Sequence, residues 1–175
     1  MDIKFKLGSV IEPSEQGNIM IAHGCNDLGF GGAGVIVPIK RKWPEAYDNY
    51  TRWFERGCYK PYYCPAQKQG LAKLGEIQVT HYDNIGICYA ITQSGIGLDR
   101  FGQIPFRYEA FAECLNKINE YMDLYDYDVL CIPRIGCGLA GASWDRVEQI
   151  IYSCMEKQVV VYDLPSEKRD GVKYD

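Results

Sequence analysis

Apolar and polar positions along the chain follow two periods, one typical of strands and the other typical of helices. Residues 3–9 (IKFKLGS) alternate and predict a half-buried strand, whereas residues 18–24 (NIMIAHG) form a nearly continuous apolar run, as a buried central strand does. Residues 75–83 and 85–93 predict two more strands around an Asp-Asn turn. Two further apolar runs, in YDVLCIPRIGCG and QVVVYDL, bring the predicted strands to six.

Helical periods occupy the stretches between these strands. A helix is predicted from Ala33, and Pro44 suits the first turn of a second helix that closes at Gly57. The stretch SWDRVEQIIYSCME predicts another helix with Ser143 as its N-cap. Residues 104–126 carry apolar side chains at the three-and-four spacing of one buried helix face, namely Phe106, Ala110, Phe111, Cys114, Leu115, Ile118 and Met122.

Strands that alternate with helices predict an α/β layered fold. Its sheet should be mixed, because a tight turn joins the two strands of residues 75–93. A chain of 175 residues suits one domain. We place that domain at residues 1–164 and expect residues 165–175 (PSEKRDGVKYD) to form a loose polar tail.

Composition and charge exclude several classes of protein. The net charge of −4 comes without a basic block, so the electrostatic footprint of a dedicated nucleic-acid binder is missing, although a nucleic acid held by its end stays open. Most of the eight cysteines lie in apolar runs and the opening MDIKFKLGSV has no apolar signal core, which favours a cytoplasmic protein with reduced thiols. No run approaches the roughly 20 apolar residues of a membrane span, so no membrane partner is expected.

A zinc site is the competing use of the cysteines. Its ligands would be Cys58, Cys64 and His81, the first two from a predicted loop over residues 58–74. However, the chain has no CxxC pair, and the spacing between the two cysteines exceeds that of usual zinc sites. We therefore expect neither a metal nor a cofactor.

Two glycine-rich stretches, residues 24–34 and 134–141, each follow a predicted buried strand. In α/β sheets, ligands bind beyond the carboxyl ends of the strands, where such loops expose backbone N–H groups to anions. Two loops at one sheet edge therefore predict a diphosphate held from both sides. Neither loop is a Walker P-loop, since no Lys-Ser or Lys-Thr follows the glycines, and the glycines of residues 29–34 do not follow their strand directly as a Rossmann motif requires.

Two stretches carry a family resemblance, IAHGCNDLGFGGAGVIVPIKRKWPEAY and LCIPRIGCGLAGASWDRV. They resemble the macrodomain, the α/β module that binds ADP-ribose. The resemblance extends from KLGSVIE to VVVYDL, and it points to the branch of terminal ADP-ribose protein glycohydrolase, the DNA ADP-ribosyl glycohydrolase antitoxins and the ADP-ribose-1″-phosphate phosphatases. It implies a three-layer α/β/α sandwich around the mixed sheet.

The resemblance also implies which residues hold the ligand. The first loop would lie against the diphosphate and the distal ribose, Asn26 would bind the ribose hydroxyls, and the second loop would close over the diphosphate. Ser9 and Val10 would contact adenine, and Tyr162 would either stack on adenine or serve as a core residue. The implied ligand-binding residues are Ser9, Val10, Asn26, Gly31, Gly32, Ala33, Gly34, Arg134, Ile135, Gly136, Cys137, Gly138, Leu139, Ala140 and Tyr162.

Lys40 is the residue to which the resemblance assigns the chemistry. It lies six residues after the last glycine of the first loop, in GAGVIVPIK, where it would face C1″ of the distal ribose. Its amine would attack C1″, or orient and stabilise the oxocarbenium-like centre. Attack requires the deprotonated amine, which burial or the neighbouring Arg41 and Lys42 would favour. From the residues alone, the alternative is a solvated basic helix face.

Other candidates surround this lysine. His23 is the second catalytic candidate, as an acid or base that titrates near neutrality, and the alternative is a hydrogen-bonded core histidine. Ala140 stands where the protein glycohydrolase has an acid that helps to release a lysine-bound intermediate, and the DNA-directed antitoxins also lack that acid. Asp145 complements a helix dipole or takes part in catalysis. Cys25 and Cys137 flank the site, and apolar surroundings favour inert thiols there.

Three functions agree with these residues. The first is an enzyme that uses Lys40 to hydrolyse ADP-ribose conjugates at C1″, on DNA bases or protein carboxylates. The second is an ADP-ribose-1″-phosphate phosphatase that activates water near His23 or Asp27, and the third is an ADP-ribose-binding module without catalysis. A monomer is expected in each case. Basic residues that would contact the phosphates of a DNA conjugate are Arg41, Lys42, Arg52 and Arg56.

Overall fold

Six strands are present in the computed structural model of the protein, which describes residues 2–56 and 72–175. They are β1 (Ile3–Leu7), β2 (Ile19–Asn26), β3 (Ile77–Tyr82), β4 (Ile85–Gln93), β5 (Val129–Ile132) and β6 (Gln158–Asp163). Each coincides with one of the six predicted stretches, because apolar runs of this kind are stable when a sheet buries them.

The six strands form one sheet in the order β1-β6-β5-β2-β4-β3. All neighbouring strands are parallel except β3 and β4, which are antiparallel around the turn at Asp83 and Asn84. The mixed sheet is therefore confirmed. Since β1, β6, β5, β2 and β4 run the same way, their carboxyl ends meet at one edge, where sheets of this kind bind ligands.

The helices of the described residues are α1 (Ile36–Lys42), α2 (Pro44–Arg56), α3 (Tyr108–Leu124) and α4 (Trp144–Cys154). α1 begins at Ile36 rather than at the predicted Ala33. The reason is Gly34, whose φ of +74° is a left-handed conformation that a right-handed helix does not contain. Pro44 opens α2 as predicted, and the predicted end at Gly57 lies outside the described residues.

The apolar stripe of α3 is confirmed with one exception. Phe106 is buried but lies before the helix, where it forms a β-bridge with Gln93. Ser143 occupies the N-cap position of α4, although its side chain makes no capping hydrogen bond. The stripe residues buried on α3 are Ala110, Phe111, Cys114, Leu115, Ile118 and Met122.

Helices cover both faces of the sheet. One core lies between the sheet and α3 with α4, where Met20 and Leu115 pack. The other lies between the sheet and α1 with α2, where Ile21 and Trp53 pack. Met20 and Ile21 are neighbours on β2 that point to opposite faces, as successive strand residues do. The three-layer α/β/α sandwich is confirmed.

The C-terminal segment, residues 165–175, contacts the sheet instead of extending loosely as expected. The Tyr174 hydroxyl donates a hydrogen bond to Asp163 Oδ2 at 2.8 Å, and the Asp175 N–H donates to the Phe5 carbonyl at 2.9 Å. The edge strand β1 and the carboxylate that ends β6 offer these acceptors, which the polarity of the segment alone did not indicate. None of the helices in the described ranges is long and apolar enough to cross a membrane.

Candidate functional site

Two loops follow neighbouring strands at the carboxyl edge of the sheet. We call residues 27–34, after β2, the first glycine loop, and residues 133–142, after β5, the second glycine loop. β2 and β5 are paired, so the two loops leave the sheet side by side. The predicted meeting of the two glycine-rich stretches at one edge is therefore present in the fold.

Asn26, the last residue of β2, organises the first glycine loop. Its Oδ1 accepts hydrogen bonds from the N–H groups of Leu28 and Phe30, both at 3.1 Å, and its Nδ2 donates to the Phe30 carbonyl at 2.9 Å. An amide nitrogen has two hydrogens, and one N–H of Asn26 makes no hydrogen bond within the described part of the chain. The observed role of Asn26 is therefore to fix the shape of the loop, and the resemblance did not indicate this role.

The remainder of the first glycine loop presents bare backbone. A Cβ added to Gly32 or Gly34 would meet no atom within 4 Å, so both residues border open space. Within the part of the chain that the structure describes, the N–H groups of residues 31–34 meet no protein acceptor. The same holds for the N–H groups of residues 138–140 in the second glycine loop. Unpaired N–H groups at an open surface suit an anionic ligand.

The second glycine loop is fixed by its own hydrogen bonds and by one glycine. The Ala142 N–H donates to the Gly136 carbonyl at 2.8 Å, and the Cys137 N–H donates to the Arg134 carbonyl at 3.2 Å. Gly136 has a φ of +78°, and a Cβ there would collide with the Phe106 ring. Only glycine fits this position without strain. The loop is therefore shaped before any ligand arrives.

Arg134 opens the second glycine loop and points its guanidinium inward. Its Nε and Nη2 each lie 2.7 Å from an oxygen of Asp163, and the two side chains are 7% and 2% exposed. The guanidinium also lies over the rings of Phe5 and Trp144. Burial alone would raise the pKa of Asp163, but the hydrogen bonds from Arg134 and Tyr174 outweigh it and lower that pKa. Arg134 therefore anchors the loop to β6 with its side chain.

Lys40 lies on the exposed side of α1, beside the first glycine loop. Its Nζ is 4.2 Å from the centroid of the Tyr47 ring, a cation–π contact. A Cβ on Gly31 would lie 2.7 Å from Tyr47 Cε2, so the same ring also packs against the loop. Lys42 points elsewhere and donates to the Ile11 carbonyl at 2.5 Å. Of these two lysines, Lys40 is the one that Tyr47 holds beside the glycines.

His23 lies in the core rather than at the loops. It is 1% exposed, packs edge-on against Tyr89 at 4.6 Å between centroids, and places Nδ1 3.6 Å from Cys25 Sγ. Burial lowers the pKa of His23 to about 4, so the ring is neutral at physiological pH. The alternation of β2 directs this residue into the layer of α1 and α2, away from the sheet edge. The geometry favours the core histidine over the acid or base.

The residues expected around adenine lie at the ends of β1 and β6. Val10 is buried, and the Ser9 carbonyl accepts a hydrogen bond from the Glu12 N–H at 2.9 Å. Tyr162 is 6% exposed, and its hydroxyl donates to Glu15 Oε2 at 2.5 Å. Of the two alternatives for Tyr162, this environment is that of a core residue.

The remaining candidates have structural contacts. Asp27 Oδ1 accepts a hydrogen bond from the Gly95 N–H at 2.8 Å, which ties the loop after β4 to the first glycine loop. Asp145 is exposed in the first turn of α4. Burial raises the pKa of the Cys25 and Cys137 thiols, which disfavours either as a nucleophile.

The structure offers no metal centre among the residues it describes, where no three His, Cys, Asp or Glu side chains cluster. Cys58 and Cys64, which the competing zinc hypothesis would need, lie outside those residues, as does the side chain of Arg56. His81 lies on the outer strand β3, where its ring nitrogens make hydrogen bonds with the hydroxyls of Tyr121 and Tyr127.

Sequence reasoning missed two residues of this site. Tyr47 lies in α2, and only the break between α1 and α2 brings its ring under Lys40. Asp163 pairs with Arg134 across two neighbouring strands that are distant in the chain. An aspartate that ends a buried strand was the one available signal for the second of these, since an unpaired carboxylate there would be costly.

Solved structures of similar fold cover nearly the whole chain. A protein of unknown function from Bacteroides thetaiotaomicron is 32% identical, with 94% of this chain and 99% of that chain covered and a TM-score of 0.82. A macrodomain protein from Streptomyces coelicolor is 29% identical, with 93% and 99% covered and a TM-score of 0.72. DarTG from Thermosipho africanus in complex with ADP-ribose is 19% identical, with 86% of this chain and 39% of that chain covered and a TM-score of 0.62.

Two relatives found by sequence also match most of the chain. An ADP-ribose 1″-phosphate phosphatase from Candida albicans is 23% identical over 141 residues, which is 76% of this chain and 80% of the relative. An uncharacterised 17.5 kDa protein of Enterobacteria phage T4 is 26% identical over 172 residues, 93% of this chain and 97% of that protein. No protein-family model matches the chain.

Proposed function

Because the chain belongs to the macrodomain family, we propose that it binds ADP-ribose at the two glycine loops and hydrolyses ADP-ribose conjugates at C1″ of the distal ribose. The observation that carries the proposal is that the two loops are neighbours and that the N–H groups of residues 31–34 and 138–140 meet no acceptor in the described part of the chain. A diphosphate has the size and charge to accept hydrogen bonds from both loops at once.

Lys40 is the group that we assign to the chemistry. Tyr47 holds its amine beside Gly31, on the flank of the loop that would contact the distal ribose. In the proposed reaction the deprotonated amine attacks C1″, and the bond from C1″ to the carrier breaks with its electron pair passing to the carrier. Water then displaces the amine from C1″. The net change is one water consumed, a hydroxyl formed at C1″ and one proton released, which stays on a carrier of high pKa and passes to solvent when the carrier is a carboxylate.

The surroundings of Lys40 favour carriers that leave without assistance. His23, which was the candidate acid, lies in the core and therefore protonates no leaving group. Ala140 provides no acid for the later release of the lysine-bound intermediate, so that second step depends on water alone. A carboxylate carrier needs no such proton, because its ordinary pKa of about 4.3 makes it a stable anion at neutral pH. A carrier of much higher pKa would leave more slowly from this site.

Calorimetric titration of ADP-ribose into the protein tests the binding half of the proposal. Gly32→Glu should abolish micromolar binding, since it places a bulky carboxylate in the open space that the diphosphate would occupy. Gln149→Glu is the matched control, because it adds the same charge at an exposed position of α4. Equal binding by the Gly32→Glu variant would remove the glycine loops from the ligand site.

Turnover of a conjugate tests the catalytic half. Lys40→Ala should abolish release of ADP-ribose while its affinity for free ADP-ribose changes little, and Lys168→Ala, which removes an exposed lysine after β6, should keep both. Unchanged turnover by the Lys40→Ala variant would exclude the proposed step.

The second candidate is an ADP-ribose-1″-phosphate phosphatase, favoured by the Candida albicans relative of that name. Asp27 is the carboxylate of the first glycine loop, and its second oxygen would activate the water. Phosphate release from ADP-ribose-1″-phosphate that survives Lys40→Ala and disappears in Asp27→Asn would establish this activity in place of the first. Binding without turnover of either substrate would leave the chain as a binding module.

A further inference from the structure

Six exposed hydrophobic side chains lie in the two glycine loops and in the loop after β4, and we call them the apolar rim. They lie in the loops after three neighbouring strands, β5, β2 and β4, and their exposed fractions run from 52% to 87%. Isolated exposed hydrophobic residues are ordinary, but a group of this size at one edge of a domain marks an interaction site. The members of the apolar rim are Leu28, Phe30, Ile96, Leu98, Phe101 and Leu139.

The loops of the apolar rim are held in shape by side chains beneath them. Asp27 Oδ1 accepts a hydrogen bond from the Gly95 N–H, which fixes the loop after β4 to the first glycine loop. Within the loop after β4, Asp99 Oδ1 accepts from the N–H groups of Phe101 and Gln103 at 2.8 and 2.9 Å. The apolar side chains are therefore presented on fixed backbone, so these loops lose little conformational entropy when a partner covers them.

The charges of these loops indicate what the partner is. Apart from Arg134, which is buried against Asp163, the first glycine loop, residues 94–103 and the second glycine loop carry only Asp27, Asp99 and Arg100. Both carboxylates accept backbone hydrogen bonds, and the Arg100 guanidinium lies 4.7 Å from the centroid of the Phe101 ring. A nucleic acid would bring a phosphate with every nucleotide to loops that carry two carboxylates and one exposed guanidinium, on a chain of net charge −4, so the charges of these loops do not attract it. Four of the six side chains are aliphatic, which favours polypeptide side chains over stacked bases.

We propose that the apolar rim docks an apolar stretch of polypeptide whose side chain carries the ADP-ribose. The inference rests on the proposed function, since the docked polypeptide is the carrier of the conjugate. The glycine loops would hold the ADP-ribose, and the apolar rim would add affinity for the residues that flank the modified side chain.

The test compares two synthetic peptides that carry ADP-ribose on a glutamate, one with leucine and phenylalanine beside it and one with serine and glycine. The variant Ile96→Ser/Leu98→Ser/Phe101→Ser alters only the loop after β4, outside the proposed ADP-ribose contacts. Leu124→Ser is the matched control, because Leu124 is 68% exposed at the end of α3. Titration with free ADP-ribose is run on each protein in parallel.

The wild-type protein should turn over the apolar peptide with a kcat/KM roughly tenfold higher than the serine-glycine peptide. The triple variant should lose that preference and keep its affinity for free ADP-ribose, and Leu124→Ser should keep both. Equal kcat/KM for the two peptides in the wild type, with ADP-ribose still bound, would overturn the apolar rim and leave the proposed function standing. So would a triple variant that loses turnover of an ADP-ribosylated single-stranded oligonucleotide but not of the peptide, or a wild-type dimer that the triple variant converts to a monomer. Failure of the wild type to bind free ADP-ribose would overturn the proposed function itself and the apolar rim with it.

Discussion

The ion pair between Arg134 and Asp163 should contribute a large share of the stability of the protein. Asp163→Asn removes the negative charge and keeps the size of the side chain, so the guanidinium remains buried without a charged partner. Both Arg–Asp contacts are 2.7 Å long, and the side chains are 7% and 2% exposed. Removing one partner of a buried pair costs about 3 to 5 kcal/mol. The rings of Phe5 and Trp144 still contact the cation, so we expect the lower end, about 3 kcal/mol.

Urea unfolding at neutral pH measures this free energy directly, and a thermal scan should show a midpoint lower by about 6 to 12 °C. Two variants serve as controls. Tyr174→Phe removes only the hydroxyl that donates to Asp163 Oδ2, so it should cost about 1 kcal/mol. Arg134→Met combined with Asp163→Leu replaces both charges by apolar groups, so it should recover most of the loss.

The pair also predicts how stability depends on pH. Burial raises the pKa of Asp163, but the hydrogen bonds from Arg134 and Tyr174 lower it further than burial raises it. A folded pKa below the unfolded value means that the carboxylate stabilises the protein fully above the ordinary pKa of aspartate. This stabilisation is lost as the pH falls from that ordinary pKa through the lower folded pKa. Asp163→Asn should lack that acid-dependent loss. A variant within about 0.5 kcal/mol of the wild type at neutral pH would refute the role assigned to the pair.

Three further predictions follow from single contacts. Gly136→Ala should lower the free energy of unfolding by about 2 kcal/mol or more, because its φ is +78° and the new Cβ meets Phe106, whereas Gly138→Ala meets open space and should be nearly neutral; equal unfolding midpoints in urea would contradict this. Tyr47→Leu should lower the turnover of an ADP-ribose conjugate about threefold to tenfold with little change in ADP-ribose affinity, because the ring holds the Lys40 amine. Tyr47→Phe keeps the ring and should therefore keep the turnover. A Tyr47→Leu enzyme with wild-type kcat would exclude a role for the contact between Lys40 and Tyr47. Burial lowers the pKa of His23 to about 4, so the unfolded chain binds a proton that the folded protein excludes, and the free energy of unfolding should fall by up to about 3 kcal/mol as the pH drops from 6.5 towards 4; His23→Gln should remove this dependence, and a variant with the wild-type slope would place the ring elsewhere.

The fold was predictable from the sequence where buried residues recur at short, regular intervals along the chain. The spacing of Ile118 and Met122 on α3 and the apolar run of β2 each reflect one neighbouring layer, so the pattern carries the structure. Boundaries were less predictable because they depend on backbone conformation. The left-handed φ of Gly34 makes α1 begin at Ile36, and the pattern of apolar positions does not show this conformation.

The candidate site was predictable in place but less so in detail. Glycine loops after buried strands locate it, because parallel strands bring their carboxyl ends together. The roles of single residues depend on contacts between distant segments. The alternation of β2 sends His23 into the core, and Tyr47 reaches Lys40 only through the angle between α1 and α2. The side-chain amide of Asn26 makes three hydrogen bonds within its own loop, and the expected ribose-binding role did not suggest them.

The bare backbone of the two glycine loops has a consequence for how such a surface changes during evolution. Hydrogen-bond donors that belong to the main chain persist whatever side chain is attached, so an exposed loop residue such as Ala33, which lies outside the apolar rim, is free to vary. The constraint falls on the positions where a Cβ has no room, Gly31 against Tyr47 and Gly136 against Phe106. Descendants of one ancestor can then diverge until little identity remains while the surface that they offer an anion stays the same. In distant relatives these two glycines are therefore the residues to align first.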